Sequence, residues 1–318
     1  MTDSTDKQEK PQGPALQPQV PPAGTADQGI SIVLLGTGTP LPNPARACAS
    51  TLVICGSASF LVDTGRGFLN NLAALGLNDA AAVLFTHFHS DHFAEFGEFM
   101  VNRTIRGATQ PIPVIGPAGT RKVITALLQA YGPDNQYRKL HHGSKWDDRG
   151  MQPDFREKDG GVVYNHEGVE IRMFAVDHHP VMPAVGYRFQ YRGHVAVISG
   201  DTVKVPAMVE MAMGADILVH DTTQKQMVQG MIGFLKSRKT AADDRLAAMS
   251  EEMMAYHAAT EEVAQIAAEA GVKKLVLTHL VPSIPPTMDG GPFLAGLDTI
   301  FKGRIYLGQD GMRINSWD

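Results

Sequence analysis

His87-Phe88-His89-Ser90-Asp91-His92 places four metal-binding side chains within six positions, directly after the apolar run Ala81-Ala-Val-Leu-Phe-Thr86. That run reads as a buried strand ending in a turn. Whatever fold the chain adopts must therefore present this strand end, and the loop after it, to a cation. Neutral imidazoles and a carboxylate suit a borderline ion such as Zn²⁺. Donors this close crowd a single tetrahedral ion, so the spacing points to two neighbouring metals sharing one loop.

Three further positions repeat the pattern of a polar residue closing an apolar run. His178 and His179 come just after Met173-Phe-Ala-Val176, Asp201 follows Val197-Ile-Ser-Gly200, and His279 follows Leu275-Val-Leu-Thr278. Strand ends are where a rigid scaffold carries chemistry on loops. One such residue would be an ordinary turn residue; together they read as candidates to complete a metal centre.

Patterning fixes the expected organisation. Met1 to Gln28 is polar, with Pro11, Pro14, Pro18, Pro21 and Pro22, and reads as a disordered tail. Residues 29–318 are expected to form one domain, starting with a strand at Ile30–Leu35. Leu52–Cys55 and Phe60–Asp63 form a hairpin about Gly56-Ser57, and helices are expected at Phe68–Leu75 and Gly119–Tyr131. Gly132–Gly161 lacks periodicity and reads as a long polar loop or lid. Strands resume at Val162–Tyr164, Val169–Ala175, Ala184–Tyr191 and His194–Ser199. A helix at Val205–Met213, a strand at Ile217–Val219, a helical insertion at about 224–256, a helix at Glu261–Ala270 and a strand at Leu275–Thr278 follow. Hairpins occur beside strand–helix units, so the pattern predicts an α/β fold of two mixed sheets packed face to face, with helices on the outer faces.

Composition narrows the partners. The net charge is −5 and there is no dense Lys/Arg block, which argues against a polyanion such as RNA. Cys48 and Cys55 are too few for a disulfide framework or a cysteine zinc site and are expected as buried thiols. No apolar stretch is long enough to cross a bilayer, and no basic-then-apolar leader pattern is present. The compartment stays open between cytoplasm and, were a leader removed, periplasm. His141 and His142 read as solvated loop residues.

From Ile30 to Asp318 the chain resembles the metallo-β-lactamase-fold hydrolases, on the strength of the His-x-His-x-Asp-His cluster and the later His, Asp and His. The resemblance implies an αβ/βα sandwich. It implies His87, His89 and His178 on one metal, Asp91, His92 and His279 on a second, and Asp201 bridging. His178 is preferred to His179 because Asp177-His178 precedes Pro180 and the Gly186-Tyr-Arg strand, as in that family. Asp63, in an Asp-x-Gly turn, would support a ligand rather than be one. Leu34-Leu-Gly-Thr-Gly-Thr-Pro40, the histidine cluster and Ser199-Gly-Asp201 resemble tRNase Z and its arylsulfatase-like relatives. Leu218-Val-His-Asp-Thr-Thr223 is similar to the His-Glu-Ala-Thr motif, with Asp221 in place of Glu, and His257-Ala-Ala-Thr260 to a later His motif. Thr260 is a candidate N-cap for the helix that follows.

Two departures point away from true tRNase Z. The tRNA-gripping arm has no room between Gly186-Tyr-Arg and Ser199-Gly-Asp201, and the Lys- and Arg-Asn-bearing loop is altered to Leu41-Pro-Asn-Pro-Ala-Arg-Ala-Cys48. The helical insertion resembles the arylsulfatase-like branch, with Met227, Met231, Met249, Met253 and Met254 expected to pack in the core or across a dimer. The resulting expectation is a dinuclear-metal hydrolase working through a metal-bridging hydroxide on a small phosphodiester, sulfate or carboxylate aryl ester. Asp91 takes the proton of the attacking water, and His257, oriented by Asp221, protonates the leaving oxygen. The metals would be two divalent ions, Zn before Mn or Fe. The partners would be a small-molecule ester and a second copy of the chain, with neither nucleic acid nor membrane. The alternatives are a tRNA 3′-processing endonuclease, hydrolytic displacement on an activated aromatic ring, and a non-catalytic metal-binding module.

Overall fold

The computed structural model describes residues 28–284 and 290–318. The segment expected as a disordered tail lies outside the described residues, apart from Gln28. Among the described residues, fourteen strands make two seven-stranded sheets. The first contains β1 (Ile30–Gly36), β2 (Ser50–Cys55), β3 (Ala58–Val62), β4 (Ala82–Leu84), β5 (Ile112–Gly116) and β6 (Pro153–Glu157). The second contains β7 (Gly161–His166), β8 (Val169–His178), β9 (Val181–Tyr191), β10 (His194–Ile198), β11 (Ile217–Thr223), β12 (Lys274–Val281) and β13 (Arg304–Leu307). The last strand, β14 (Arg313–Asn315), returns to the first sheet beside β1.

Each sheet is half antiparallel and half parallel. In the first, β1, β2 and β3 pair antiparallel, and β3 to β6 run parallel. In the second, β7 to β10 pair antiparallel, and β10 to β13 run parallel. Parallel neighbours need crossovers, which the helices supply. The flanking helices are α1 (Phe68–Ala74), α2 (Ser90–Phe93), α3 (Phe96–Ile105), α4 (Thr120–Ala130), α5 (Gly132–His142) and α6 (Pro206–Ala212). Next come α7 (Lys225–Ser237), α8 (Ala241–Met253) and α9 (Thr260–Glu269).

Three layers of apolar contact follow from strand alternation. Ile32, Leu34, Phe60 and Val62 from one sheet meet Ile171, Tyr187, Phe189 and Ala196 from the other in the central core. Opposite-facing residues of the first sheet pack under α1, α3 and α4 through Phe68, Phe99 and Ile124. Those of the second pack under α6 and α9 through Met208, Val263 and Ile266. This is the two-sheet sandwich with outer helices that the pattern predicts.

The segment 132–161 is not an unstructured lid. Pro133 sits in the first turn of α5, where its missing N–H costs nothing. Trp146 is buried and donates its indole N–H to Asn135 Oδ1 at 2.6 Å, so the turn after α5 is pinned. The chain then adds β6 as an edge strand beside β5. Periodicity misses this because α5 buries no residue of its own. Thr260 is likewise the first helical residue of α9 rather than its cap; the Ala259 N–H is taken by Glu262 at 2.7 Å.

Candidate metal centre

The parallel halves of the two sheets end at one mouth, and local irregularities deliver several of the side chains gathered there. Asp63 leaves β3 with φ +61°, a left-handed backbone rare outside glycine. Its carboxylate accepts the Thr86 N–H at 2.9 Å and the Thr86 hydroxyl at 2.7 Å, fixing the turn that starts the histidine loop. His178 lies past a register shift between β8 and β9, and His279 is an extra residue where β11 and β12 slip register. A bulge re-aims a side chain at a strand end, and His279 adopts φ +45° to do so. Gly200, at φ +65°, turns the chain so that Asp201 faces inward. A Cβ there would sit 2.8 Å from the Val185 carbonyl oxygen and 2.9 Å from Thr86 Cβ.

These elements gather seven side chains into two adjoining donor groups. His87, His89, His178 and Asp201 form one, and Asp91, His92 and His279 the other. His89 Nδ1 is 3.1 Å from His87 Nε2 and 3.2 Å from His178 Nε2. Asp91 Oδ2 is 3.2 Å from His279 Nε2. Asp201 Oδ2 stands between the groups, 3.7 and 3.8 Å from His87 and His178, and 3.3 and 3.5 Å from His92 and His279. His179 is exposed and takes no part.

The far side of several rings is tied down. His92 Nδ1 bonds Asp63 Oδ2 at 2.8 Å, and His178 Nδ1 meets the Tyr256 carbonyl at 3.0 Å. Such partners set which ring nitrogen is left for a metal. His92 Nε2 is then buried without a hydrogen-bond partner, inside a group of nitrogen and oxygen donors. A buried ring nitrogen left without a hydrogen-bond partner among such donors calls for a ligand, so the residues present fit a divalent ion.

Electrostatics divide the histidines. Burial holds His87 well below the ordinary imidazole value and also lowers His89 and His178. Burial works the same way on His92 and His279, but is outweighed by carboxylates. Asp201, Asp63 and Asp91 take His92 well above its usual value, and Asp201 and Asp91 raise His279 to about 9. Reciprocally, and against its own burial, Asp201 is held well below the carboxylate range by His279 and His92.

Beside the centre lies a dyad. His257 Nδ1 bonds Asp221 Oδ2 at 2.7 Å, with the His257 ring stacked 5.3 Å from His279. The buried His220, to which sequence reading gave no role, meets the Asp221 backbone carbonyl through Nδ1 at 2.7 Å, with the other carboxylate oxygen of Asp221 3.0 Å from the same nitrogen. Its sequence signal was its place in Leu218-Val-His-Asp-Thr-Thr223, directly before Asp221.

A cleft of about 350 Å³ opens from this cluster. One wall is the loop at Thr39, Pro40 and Leu41; the other is α7 and α8 with Met231, Leu246, Met249 and Met253. The methionines were expected in a core or dimer contact. Met227 packs against the core beneath the second sheet's helices, and Met231, Met253 and Met254 pack against the shared α7–α8 stripe of Val228, Ile232, Leu235 and Ala247. Met231 and Met253 also line the cleft, and Met249, 54% exposed, faces it.

A family model described as a beta-lactamase superfamily domain matches residues 59–280. The chain belongs to that superfamily. Among its relatives, Ribonuclease Z of Mycobacterium marinum is 41% identical over 292 residues, covering 90% of this chain and 98% of the relative. Ribonuclease Z of Mycolicibacterium paratuberculosis is 40% identical with the same coverage. Two solved structures share the fold. The metallo-beta-lactamase fold protein YhfI from Bacillus subtilis has a TM-score of 0.63 at 19% identity, covering 90% of this chain and 99% of its own. Human tRNase Z, short form, has a TM-score of 0.62 at 20% identity, covering 90% and 98%.

These relatives overturn the exclusion of nucleic acid, and with it the preference for a small ester. Net charge sums the whole surface and says nothing of how charge is distributed locally, so −5 overall does not exclude a nucleic-acid substrate. The lack of room for a tRNA-gripping arm also loses its force. The turn between β9 and β10 is tight, at Arg192 and Gly193, yet the match to proteins named Ribonuclease Z runs over nearly their full length. Among the described residues, no helix is long and apolar enough to cross a membrane.

Proposed function

We propose that this protein is a dinuclear-metal phosphodiesterase acting on RNA, of the tRNA 3′-end processing type. The observation that carries the reading is Asp201 Oδ2, placed within 3.3–3.8 Å of four imidazole nitrogens drawn from both donor groups. The near full-length similarity to proteins named Ribonuclease Z supports RNA as the substrate class.

His87, His89 and His178 would hold one metal, Asp91, His92 and His279 the other, with Asp201 shared. Imidazole and carboxylate donors favour Zn²⁺, and Mn²⁺ or Fe²⁺ suit the same set. Bound there, the pair supplies Lewis-acid polarisation of the phosphodiester and a nucleophile available at neutral pH. The chain's own residues do the rest. Asp91 lies at the same mouth and accepts the proton lost by the attacking water. Asp221 takes the His257 Nδ1–H, which fixes the ring and leaves Nε2 to carry a proton to the leaving oxygen.

The test is cleavage of a 3′-extended precursor tRNA by the metal-loaded protein, beside an unstructured RNA of matched length. A single cut near the 3′ end of the precursor is expected, abolished by Asp201→Ala. Failure to cut either RNA, with full metal content, would overturn the reading.

A further inference from the structure

We propose that the face of α7 and α8 turned to the cleft, with Met249 and Met253 at its centre, is a nucleobase-binding wall for the nucleotide that carries the leaving oxygen. The proposal rests on the phosphodiesterase reading above and adds to it which part of the substrate the cleft holds.

The cleft is chemically split. Its floor is the donor cluster with His257, and among the described residues lining the remainder none carries a charge. A polyphosphate backbone running along these walls would meet no cation. What the walls offer is thioether and alkyl surface from Met231, Leu246, Met249, Met253 and Leu41, with hydroxyls from Ser250 and Ser283 at its edge. Leu41 is 60% exposed and Met249 54% exposed, so this surface faces outward rather than closing on itself.

Thioethers pack favourably against aromatic rings and adapt to their shape. A planar, uncharged heterocycle with edge donors and acceptors matches both the apolar walls and the serine rim. The side of the bond is set by connectivity. Met253 lies at the end of α8, and the chain runs directly on through Tyr256, which also lines the cleft, to His257. The Tyr256 ring packs edge-on against His178 at 5.2 Å and at a tilt against His257 at 5.0 Å, giving the base a rigid aromatic neighbour. The wall and the proton donor therefore stand on the same side of the reacting phosphate.

Two measurements on the full-length, metal-loaded protein test this. The first titrates adenosine 3′-monophosphate and ribose 3-phosphate calorimetrically into wild type and Met249→Gln/Met253→Gln, because a cut that frees a 3′-hydroxyl makes O3′ the leaving oxygen. Adenosine 3′-monophosphate is expected to bind wild type about tenfold more tightly than ribose 3-phosphate. In the variant that margin should collapse while ribose 3-phosphate affinity and metal content stay unchanged. Equal affinities in wild type, or a margin that survives the substitutions, would overturn the wall. The second measures cleavage of precursor tRNA with an abasic site on either side of the scissile bond. Loss of the base on the leaving side should raise KM about tenfold, with less effect on the other side. Equal effects on the two sides would overturn the assignment of side. No cleavage of any RNA would count against the phosphodiesterase reading and leave the titration to decide the wall.

Discussion

His257 Nδ1 and Asp221 Oδ2 are 2.7 Å apart, both buried, and on elements that the sequence separates by 36 positions. Asp221 is held below the usual carboxylate range, despite its burial, by His220 and His257. A buried, ionised carboxylate against one ring nitrogen fixes the tautomer and orientation of the imidazole. The pair supplies none of the seven proposed ligands, although His257 lies within ligand distance of Asp201 and His279.

Replacing His257 with Ala should lower kcat by about 10²–10⁴-fold on substrates with poor leaving groups, since proton donation matters most there. Metal content should not change, and a nitrophenyl phosphodiester should lose much less. Metal analysis with turnover on the two substrate types checks this; equal losses on both would refute proton donation by His257.

Asp63 should matter without touching a metal. Its carboxylate holds His92 Nδ1 and the Thr86 turn, and Asp63→Ala frees both. Removing a partner that orients a ligand costs about 10–100-fold in metal affinity. Competition with a chromogenic chelator reads that loss directly. Activity restored at saturating metal would confirm that Asp63 acts through His92.

Metal removal should change the pH dependence of stability. His87, His89 and His178 have lowered values, so below about pH 6.5 the unfolded chain binds protons more readily and stability falls with falling pH. His92 and His279 have raised values. Their contribution is complete below about pH 6.5 and is lost as the pH rises through their folded values, about 9 for His279. The chelated protein should therefore be most stable near pH 6.5 and decline on both sides. Metal replaces the protons on His92 and His279, so the loaded protein should keep its Tm on the alkaline side. Melting curves across the range check this; the same alkaline decline in both forms would refute it.

The histidine loop of the candidate centre was legible in sequence because His87 to His92 is contiguous and follows an unmistakable apolar strand. His178 and His279 were legible only as strand ends. Their register shifts and the positive φ of His279 depend on pairing between strands far apart in the chain, which no local pattern encodes. The helix α5 escaped notice because it buries nothing, and the methionines were set in a core or dimer contact before a substrate-facing patch because apolar spacing marks an apolar face without saying what covers it. Net charge misled about RNA for a related reason: it carries no information about where charge lies.

Gly200 is the position where the backbone itself sustains the centre. It takes φ +65°, and a Cβ would press on the Val185 carbonyl and on Thr86, which anchors Asp63. Holding alanine in a left-handed conformation costs about 1–3 kcal/mol before any clash is counted. Relief by movement would carry Asp201 away from the four imidazoles it serves. Gly200→Ala should therefore lower both Tm and metal affinity, with the affinity loss persisting at temperatures where the variant is fully folded. Circular dichroism and chelator competition at one such temperature separate the two effects; unchanged affinity in a destabilised variant would show that Asp201 keeps its place without the glycine.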